Sequence, residues 1–194
     1  MSNLKEFKID EKSFIGGSYI SKDICKNIID YYEKNKHLHF RGTVSDGVLD
    51  NSIKESSEIS LNVNSFANLF PDYMSSLQMV LENYRKKYKY SDMVYYYNLN
   101  ESIKIQHYKK NEGFKIWHLE NDGSRNVIKR HLVFMTYLNT VNDGGTDFFY
   151  QDLTTKAEEG LTLIWPAHWT HTHKGQISEH SEKYIVTGWF SFNE

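Results

Sequence analysis

In two segments of the first half of the chain, apolar side chains recur at the three- and four-residue spacing of a helix. The first segment has apolar or aromatic residues at positions 24, 28, 31 and 32, and Ser21 precedes them as a typical N-cap residue. The second runs from Asp72 to Tyr88 and repeats this spacing from Tyr73 onward. Pro71 stands at its first turn, where the missing N–H of proline is not needed. We therefore predict two amphipathic helices in this half.

The second half has a different pattern, because short runs rich in Ile, Val, Tyr, Phe, Trp and Thr alternate with clusters of Asn, Asp and Gly after Ser91. Such runs, bounded by turn residues, are typical of β-strands. The predicted strands are Ile103–Tyr108, Lys115–Glu120, His131–Leu138, Thr146–Tyr150, Leu161–Trp165, Thr170–Lys174 and Tyr184–Phe192. Regularly spaced strands that follow helices predict a mainly β fold with N-terminal helices, whose core is a sandwich or barrel of antiparallel sheets.

Length and composition favour a single domain. A chain of 194 residues can bury one sizeable core. It contains only two prolines, Pro71 and Pro166, and no Ser/Gly-rich linker or internal repeat that would mark a boundary. We expect one domain over residues 1–194, with helical support in about 1–90 and the β core in about 91–194.

The charge balance and the cysteine content bear on partners and compartment. With 23 basic and 25 acidic side chains the net charge is −2, so we expect neither nucleic acid nor a membrane as a partner. No segment approaches the roughly 20 apolar residues that span a bilayer, and the N-terminus lacks the pattern of a signal peptide. The lone cysteine, Cys25, fits a reducing compartment, and we expect a cytoplasmic protein.

Histidines and a carboxylate in the second half have a spacing that suits a metal site. Residues i and i+2 of a strand share a face, so His118 and Glu120 could bind one ion together. A histidine from a later strand would complete two imidazoles and one carboxylate on one side of the ion, the facial arrangement of non-haem Fe(II) oxygenases. The residues alone leave His171 and His173 open for this position. Asp122 is an alternative carboxylate, although its Asn-Asp-Gly sequence is typical of a turn.

A longer ordered set of residues surrounds these candidates. In chain order it contains Tyr108, Gly113, His118, Glu120, Arg130, Tyr137-Leu138-Asn139, Gly144-Gly145-Thr146, Gly160, Trp165-Pro166, His173, Lys183 and Trp189. As a set these residues resemble the catalytic core of the 2-oxoglutarate/Fe(II)-dependent dioxygenases of the prolyl-4-hydroxylase-like family. The resemblance covers roughly residues 103 to 192. It implies a double-stranded β-helix (jelly roll) core, Fe(II) as the metal, and 2-oxoglutarate and O2 as cosubstrates.

The resemblance also implies a set of catalytic metal ligands. In the family a basic residue that binds the cosubstrate follows the distal histidine, and ten positions before Lys183 stands His173. The implied ligands are therefore His118, Glu120 and His173, which leaves His171 to support the ligands or to face the substrate. The family usually has Asp where this chain has Glu120. The extra methylene moves the carboxylate by about 1.5 Å, which a change of rotamer can absorb.

A cosubstrate pocket follows from the same resemblance. It assigns the far carboxylate of 2-oxoglutarate to Lys183, a charge-assisted donor, and to the hydroxyl of Tyr137, a neutral donor. Thr187 and Trp189 follow Lys183 by even numbers of residues, so they share its strand face, and both match family positions that line this pocket. Tyr108 matches a family tyrosine near the iron and the cosubstrate.

Three other features receive structural interpretations. His107 precedes Tyr108 and should point to the opposite face of its strand, and His168 suits a strand end at the surface. The sequence Gly144-Gly145-Thr146 is typical of a hairpin turn, and the resemblance makes it the turn into the strand that faces the substrate.

Together these features predict an Fe(II)- and 2-oxoglutarate-dependent dioxygenase. We expect it to hydroxylate a C–H bond of a peptide or protein side chain, or of a small metabolite, with release of succinate and CO2. The alternatives are a jelly-roll metal hydrolase or isomerase, and a binding module whose histidines are structural. Lys183 and Tyr137 at cosubstrate spacing argue against the hydrolase. The loops at 46–65 and 120–129 are expected to determine the substrate.

Overall fold

A large antiparallel sheet forms the centre of the fold. The structure is a computed structural model that describes residues 4–44 and 47–193. The strands are, in chain order, β1 (Lys5–Glu6), β2 (Gly16–Tyr19), β3 (Phe40–Arg41), β4 (Ser57–Leu61), β5 (Tyr97–Leu99), β6 (Ile103–Tyr108), β7 (Arg130–Tyr137), β8 (Val141–Phe148), β9 (Leu153–Ala157), β10 (Leu161–Pro166), β11 (His173–Gly175) and β12 (Lys183–Phe192). Over the described residues, nine strands form the large sheet in the order β1-β2-β10-β7-β12-β6-β4-β3, with β5 beside β12. The smaller sheet has the order β11-β8-β9.

The α-helices of the described residues all lie in the N-terminal half, as α1 (Lys22–Lys34), α2 (Val63–Leu69) and α3 (Pro71–Lys87). The hydroxyl oxygen of Ser21 caps α1, because it accepts a hydrogen bond from the Asp23 N–H at 3.2 Å. Pro71 begins α3, so both predicted helices are confirmed. The sequence pattern did not reveal α2, since seven residues with Phe66 as the buried anchor are too few to display a period.

Successive side chains of the central strand β7 point to opposite faces of the large sheet, and each face packs in a different hydrophobic core. Leu132 and Phe134 belong to the core that contains the buried faces of α1 and α3. Val133 and Tyr137 belong to the other core, which also contains side chains of β8 and β9 and therefore lies between the two sheets. The space between the sheets is where the candidate site residues of β12 point, as described below.

The N-terminal half contributes strands as well as helices, which differs from the predicted helical support in residues 1–90. Strand β2 pairs with β10, and strand β4 pairs with β6. Their sequences, Gly-Gly-Ser-Tyr and Ser-Glu-Ile-Ser-Leu, are poor in β-branched residues, so the local pattern gives little indication of a strand. Pairing with C-terminal strands stabilises them in this conformation.

The strand predictions have mixed outcomes. The predicted strand Ile103–Tyr108 is confirmed without a shift, and those near β7, β8, β10 and β12 are confirmed with displaced ends. The prediction for Lys115–Glu120 is wrong, because this segment contributes only an isolated bridge, at His118. The prediction for Thr170–Lys174 is partly wrong, because a 3-10 turn occupies Trp169–His171 and β11 begins only at His173.

The sequence Gly144-Gly145-Thr146 lies inside β8 and does not form the predicted hairpin turn. The pairing of β8 with β9 changes register between Val141 and Thr146, so the glycines lie at an irregularity of the strand. A Cβ atom on Gly145 would overlap the carbonyl oxygen of Thr155. Glycine is therefore required here because the backbones of β8 and β9 approach too closely for a side chain.

Two remaining predictions concern loops and membranes. The loop predicted at 46–65 begins at Asp46, which lies outside the described residues, and its later part is occupied by β4 and the start of α2. At 120–129 the chain forms turns and irregular structure, as predicted. None of the helices in the described part of the chain is long and apolar enough to cross a membrane.

Candidate metal centre

His118, Glu120 and His173 converge on one point between the sheets. The distance from Glu120 Oε1 to His118 Nε2 is 3.8 Å, and that to His173 Nε2 is 3.7 Å. In the described residues, 4–44 and 47–193, these three side chains form a group that could bind a metal ion. Their ligand atoms all lie within 4.8 Å of one another. Metal–ligand bonds of about 2.1 Å bring neighbouring ligand atoms to about 3 Å, so a small closure of these side chains would bring them to bonding distance.

The segment that carries His118 and Glu120 is held by separate partners and not by one neighbouring strand. His118 and His173 form an isolated antiparallel bridge, and two residues later Glu120 N donates to Ala167 O at 3.1 Å. Residues Lys115–Glu120 therefore do not pair with one neighbouring strand along their length. The side chains of His118 and Glu120 nevertheless lie close to that of His173, as expected.

Backbone carbonyls fix the orientation of both imidazole rings. The Nδ1 atom of His118 lies 3.0 Å from Ile116 O, and that of His173 lies 2.8 Å from His171 O. Because a carbonyl can only accept, each Nδ1 carries the proton and each Nε2 keeps a free lone pair. The ring of Phe114 stacks on His118 at a centroid distance of 3.6 Å. The two Nε2 atoms are thus available as ligand atoms in fixed positions.

The environment of the triad sets its protonation. Burial, followed by repulsion from His173, lowers the pKa of His118 to about 3, and burial also lowers the pKa of His173. Burial alone would raise the pKa of Glu120, but the two histidines and Arg130 hold it below its ordinary value. Two neutral imidazoles and one carboxylate are the forms that bind a divalent cation without first losing protons.

The alternative ligands lie elsewhere. The Nε2 atom of His171 lies 2.9 Å from the carbonyl oxygen of Ser13 and takes no part in the triad. It belongs to the 3-10 turn before β11, so the premise that His171 and His173 share a strand face is wrong. Asp122 is exposed, and its carboxylate accepts the Ser124 N–H at 2.8 Å within the predicted turn.

The two histidines interpreted as structural also lie outside the triad. His107 Nε2 lies 2.9 Å from a carboxylate oxygen of Glu182, and its ring stacks on Tyr184 at 4.2 Å. His168 is exposed between β10 and the 3-10 turn.

A cavity of about 660 Å³ extends from the triad to Lys183 on β12. The Lys183 side chain is buried, and its ammonium donates to the carbonyl oxygens of Gly144 at 2.9 Å and Gln176 at 2.8 Å. Both partners are neutral, and the ring centroid of Tyr108 is 5.4 Å away. Burial lowers the pKa of Lys183 to about 8. This ammonium is therefore a buried cation at the cavity, and a carboxylate bound there would be its natural partner.

The other predicted pocket residues all line the same cavity. The hydroxyl of Tyr137 lies 2.6 Å from that of Thr146, and Thr187 donates to Phe134 O at 3.1 Å. Trp189 also makes a contact that the sequence did not predict, because its indole N–H donates to the carboxylate of the triad at 2.9 Å. Its contact is therefore with a candidate metal ligand.

The sequence analysis assigned no function to two sets of charged residues at this cavity, and Arg130 with its partners is the first. Arg130 belonged to the ordered set, but only the structure shows its guanidinium between Glu101 and Glu120. Its position at the start of β7 gave no signal of these partners, because both lie in irregular segments.

The second group is a buried ion cluster in the cavity wall. Lys54 Nζ lies 2.5 Å from one carboxylate oxygen of Glu58, and Lys104 Nζ lies 3.5 Å from the other. Ser56 and Gln106 also donate to Glu58, each at 2.9 Å. Lys54 precedes β4, a strand that the pattern did not reveal, so its partner Glu58 could not be placed.

Comparison with known proteins bears on the C-terminal half. Residues 103–191 match a family model described as the 2OG-Fe(II) oxygenase superfamily. This stretch contains the triad and the five predicted pocket residues. No curated protein matches the sequence significantly.

Solved structures resemble almost the whole chain. A viral collagen prolyl hydroxylase from Paramecium Bursaria Chlorella virus-1, solved as a 2OG complex, has a TM-score of 0.67 at 15% identity and covers 99% of this chain and 97% of its own. A Trichoplax adhaerens prolyl hydroxylase, solved with a hypoxia inducible factor oxygen degradation domain peptide fragment, has a TM-score of 0.70 at 13% identity over 91% and 82% of the two chains. A Pseudomonas putida prolyl-4-hydroxylase has a TM-score of 0.68 at 13% identity over 91% of each. The predicted fold, mainly β with N-terminal helices and a jelly-roll core, is confirmed.

Proposed function

We propose that this 2-oxoglutarate/Fe(II)-dependent dioxygenase, whose residues 103–191 belong to the 2OG-Fe(II) oxygenase superfamily, hydroxylates a C–H bond of a peptide or protein side chain. Its metal is Fe(II), and 2-oxoglutarate and O2 are its cosubstrates. One observation carries the proposal: a triad of two imidazoles and a carboxylate opens on the same cavity as a buried ammonium with neutral partners.

We assign the iron to His118, Glu120 and His173. The donor set suits this ion, because neutral imidazoles and one carboxylate are the protein ligands of non-haem Fe(II) oxygenases. Each imidazole donates its Nδ1–H to a backbone carbonyl, which leaves Nε2 for the metal. Three protein ligands leave further coordination positions for small molecules.

We assign the far carboxylate of 2-oxoglutarate to Lys183 and to the hydroxyl of Tyr137. Both side chains line the cavity, and the Lys183 ammonium lacks a charged partner among its hydrogen-bond acceptors, Gly144 O and Gln176 O. A dicarboxylate bound between the triad and Lys183 would neutralise this cation. Tyr108 and Thr187 line the same space and would contact the bound cosubstrate.

When bound, Fe(II) and 2-oxoglutarate would supply the activation of O2, in which one oxygen atom of O2 enters 2-oxoglutarate to give succinate and CO2 and the other enters a C–H bond of the substrate. The protein binds and orients the reactants. Lys183 and Tyr137 fix one end of the cosubstrate, and the triad fixes the other. Phe114 stacks on His118 and covers one face of its ring, and Trp165 packs against the buried His173 at 5.1 Å.

A peptide is the substrate class that the structural neighbours favour. The Trichoplax adhaerens enzyme binds a peptide fragment and has the same fold. In this chain, part of the cavity lining comes from residues 43–44, 53–54 and 114–127, which lie outside the named helices and strands and can be shaped for a particular ligand. A small metabolite is the other substrate class. We further propose that residues 1–194 form one domain, and that the protein is cytoplasmic, consistent with the free, buried Cys25.

A coupled assay tests the proposal. The protein is loaded with Fe(II) and incubated with 2-oxoglutarate labelled at C1, and released CO2 is measured without and with a peptide library or a metabolite extract. We expect slow release alone, faster release with one of the two mixtures, and a product that has gained one oxygen atom by mass spectrometry. Protein that binds Fe(II) but never decarboxylates 2-oxoglutarate would contradict the assigned activity.

A further inference from the structure

We propose that Arg130 and Trp189 are positioning residues that hold one carboxylate oxygen of Glu120 and so leave the other oxygen as its single metal-binding atom. The inference rests on the proposed iron site. It adds two residues that determine which carboxylate oxygen of Glu120 binds the ion.

The two oxygens of Glu120 have different surroundings. Oε1 points toward the triad, at 3.8 Å from His118 Nε2 and 3.7 Å from His173 Nε2. Oε2 points away and accepts hydrogen bonds from the indole N–H of Trp189 at 2.9 Å and from Arg130 Nη1 at 3.3 Å. The donors therefore meet the oxygen that is not directed at the metal position.

The donors are themselves held in place. The guanidinium of Arg130 lies over the Trp189 ring at 3.6 Å from its centroid. Arg130 donates to Glu101 through Nε at 3.0 Å and through Nη2 at 2.6 Å, and Ser191 donates to the same carboxylate at 2.8 Å. Arg130 Nη1 also donates to the backbone carbonyl of Glu120 at 3.1 Å. Side chain and backbone of the ligand are thus fixed to the same guanidinium.

The length of the glutamate side chain makes such a restraint useful. Glutamate has one more rotatable bond than aspartate, so a free Glu120 would have more rotamers to lose on binding an ion, and it could also turn both oxygens toward the metal. With Oε2 engaged by two N–H donors, the carboxylate is ordered before the metal arrives and binds through Oε1. Partners of this kind orient metal ligands in many sites, and their loss typically costs about 10- to 100-fold in metal affinity.

The test measures binding of Co(II), used alone as a spectroscopic substitute for Fe(II), without cosubstrate. For Trp189→Phe and Arg130→Met we expect Co(II) affinity to fall by about 10- to 100-fold, with a change in the visible Co(II) spectrum. Arg85→Met is the matched control, because Arg85 also stacks on an aromatic ring, that of Tyr97 at 4.7 Å, and pairs with Asp92, and none of the three lines the cavity. This control should leave affinity and spectrum unchanged.

The same substitution in a Glu120→Asp protein distinguishes an effect on the orientation of the carboxylate from a general loss of stability. In Glu120→Asp the carboxylate is shorter by about 1.5 Å and no longer reaches both donors. There, Trp189→Phe should change Co(II) affinity by less than about 3-fold, because the contact it removes is already lost. Equal losses in both backgrounds, or no loss in the native background, would overturn the proposal. If the native protein binds no Co(II), the proposed iron site itself is contradicted. Circular dichroism of each variant identifies any that fails to fold.

Discussion

The backbones of His118 and His173 are joined by two reciprocal hydrogen bonds, in which the N–H of each residue donates to the carbonyl of the other at 2.9 Å. In an antiparallel pair of this kind the two side chains lie on the same side of the bridge. The two imidazoles are therefore brought together by hydrogen bonds of the main chain.

The first prediction concerns these histidines. His118→Ala and His173→Ala should each abolish Fe(II) binding and turnover, because two remaining protein ligands cannot hold the ion facially. His171→Ala should retain Fe(II), since its ring nitrogen faces Ser13 O, and should lose only folding stability, by about 1–3 kcal/mol. Iron content after equilibrium dialysis distinguishes the three variants. Loss of iron in His171→Ala together with its retention in His173→Ala would reverse the assignment.

The second prediction concerns Glu120. Glu120→Gln removes the negative charge and should weaken Fe(II) binding strongly, while Glu120→Asp should keep part of the activity because a carboxylate remains. Turnover and iron affinity are measured for both. Full activity in Glu120→Ala would show that Glu120 is not a metal ligand. Asp122→Ala would then be the variant to compare.

The third prediction concerns the cosubstrate. Lys183→Ala should raise the KM for 2-oxoglutarate by about two to three orders of magnitude, because leaving a buried charge without its partner costs about 3–5 kcal/mol. Fe(II) affinity should stay nearly unchanged. Pyruvate lacks the second carboxylate and should not replace 2-oxoglutarate in the native protein. An unchanged KM in Lys183→Ala would place the far carboxylate elsewhere in the cavity.

Cosubstrate affinity should also depend on pH through the same ammonium. The pKa of Lys183 is lowered to about 8, so the charged form that binds a carboxylate predominates below pH 8 and is lost above it. The Kd for 2-oxoglutarate should therefore be constant below about pH 8 and rise by up to about tenfold per pH unit above it. Lys183→Arg is the control, because a guanidinium stays protonated and should give a flat profile. Titrations monitored by calorimetry would measure both curves.

The fourth prediction concerns the buried ion cluster. Lys54→Met should reduce the free energy of unfolding by about 3–5 kcal/mol, because it leaves the fully buried Glu58 without its closest cation. Lys115→Met is the control, since Lys115 pairs with Glu55 at 3.0 Å where both side chains are partly exposed, and should cost about 1 kcal/mol or less. Denaturant unfolding measures the difference, and equal losses would contradict the cluster's structural role.

The same cluster should make the fold sensitive to acid. Burial would raise the pKa of Glu58, but the ammonium groups of Lys54 and Lys104 hold it below 4.5. A carboxyl group whose pKa is lower in the folded state stabilises the fold above its unfolded pKa, and this contribution disappears as the pH falls through the folded value. The midpoint of unfolding should therefore decline below about pH 4.5, and less so in Glu58→Gln.

The sequence revealed the parts of the fold whose local pattern agrees with their final structure. Helix α3 and strand β6 have strong periodicity, and both were predicted within one residue of their observed ends. Strands β2 and β4 could not be found, because they take their conformation from distant partners and not from their own residues.

The candidate site was predictable for a similar reason and to a similar extent. The order of His118, Glu120, His173 and Lys183 along the chain indicated which residues converge, even though His118 lies in no regular strand. The contact of Trp189 with Glu120 was not predictable, because it depends on the rotamers of two side chains from segments that do not pair.

The order of strands in the large sheet has a consequence for how the chain folds during synthesis. Strand β12 lies between β6 and β7, so it is made after both of the strands that it joins. Until it emerges from the ribosome, β6 and β7 each present an unpaired edge, and β2 must wait for β10 in the same way. Such long-range pairing is slow to form and exposes edges that can join other chains. We therefore expect the nascent polypeptide to remain open, and accessible to chaperones, until Lys183 and the residues after it have been added.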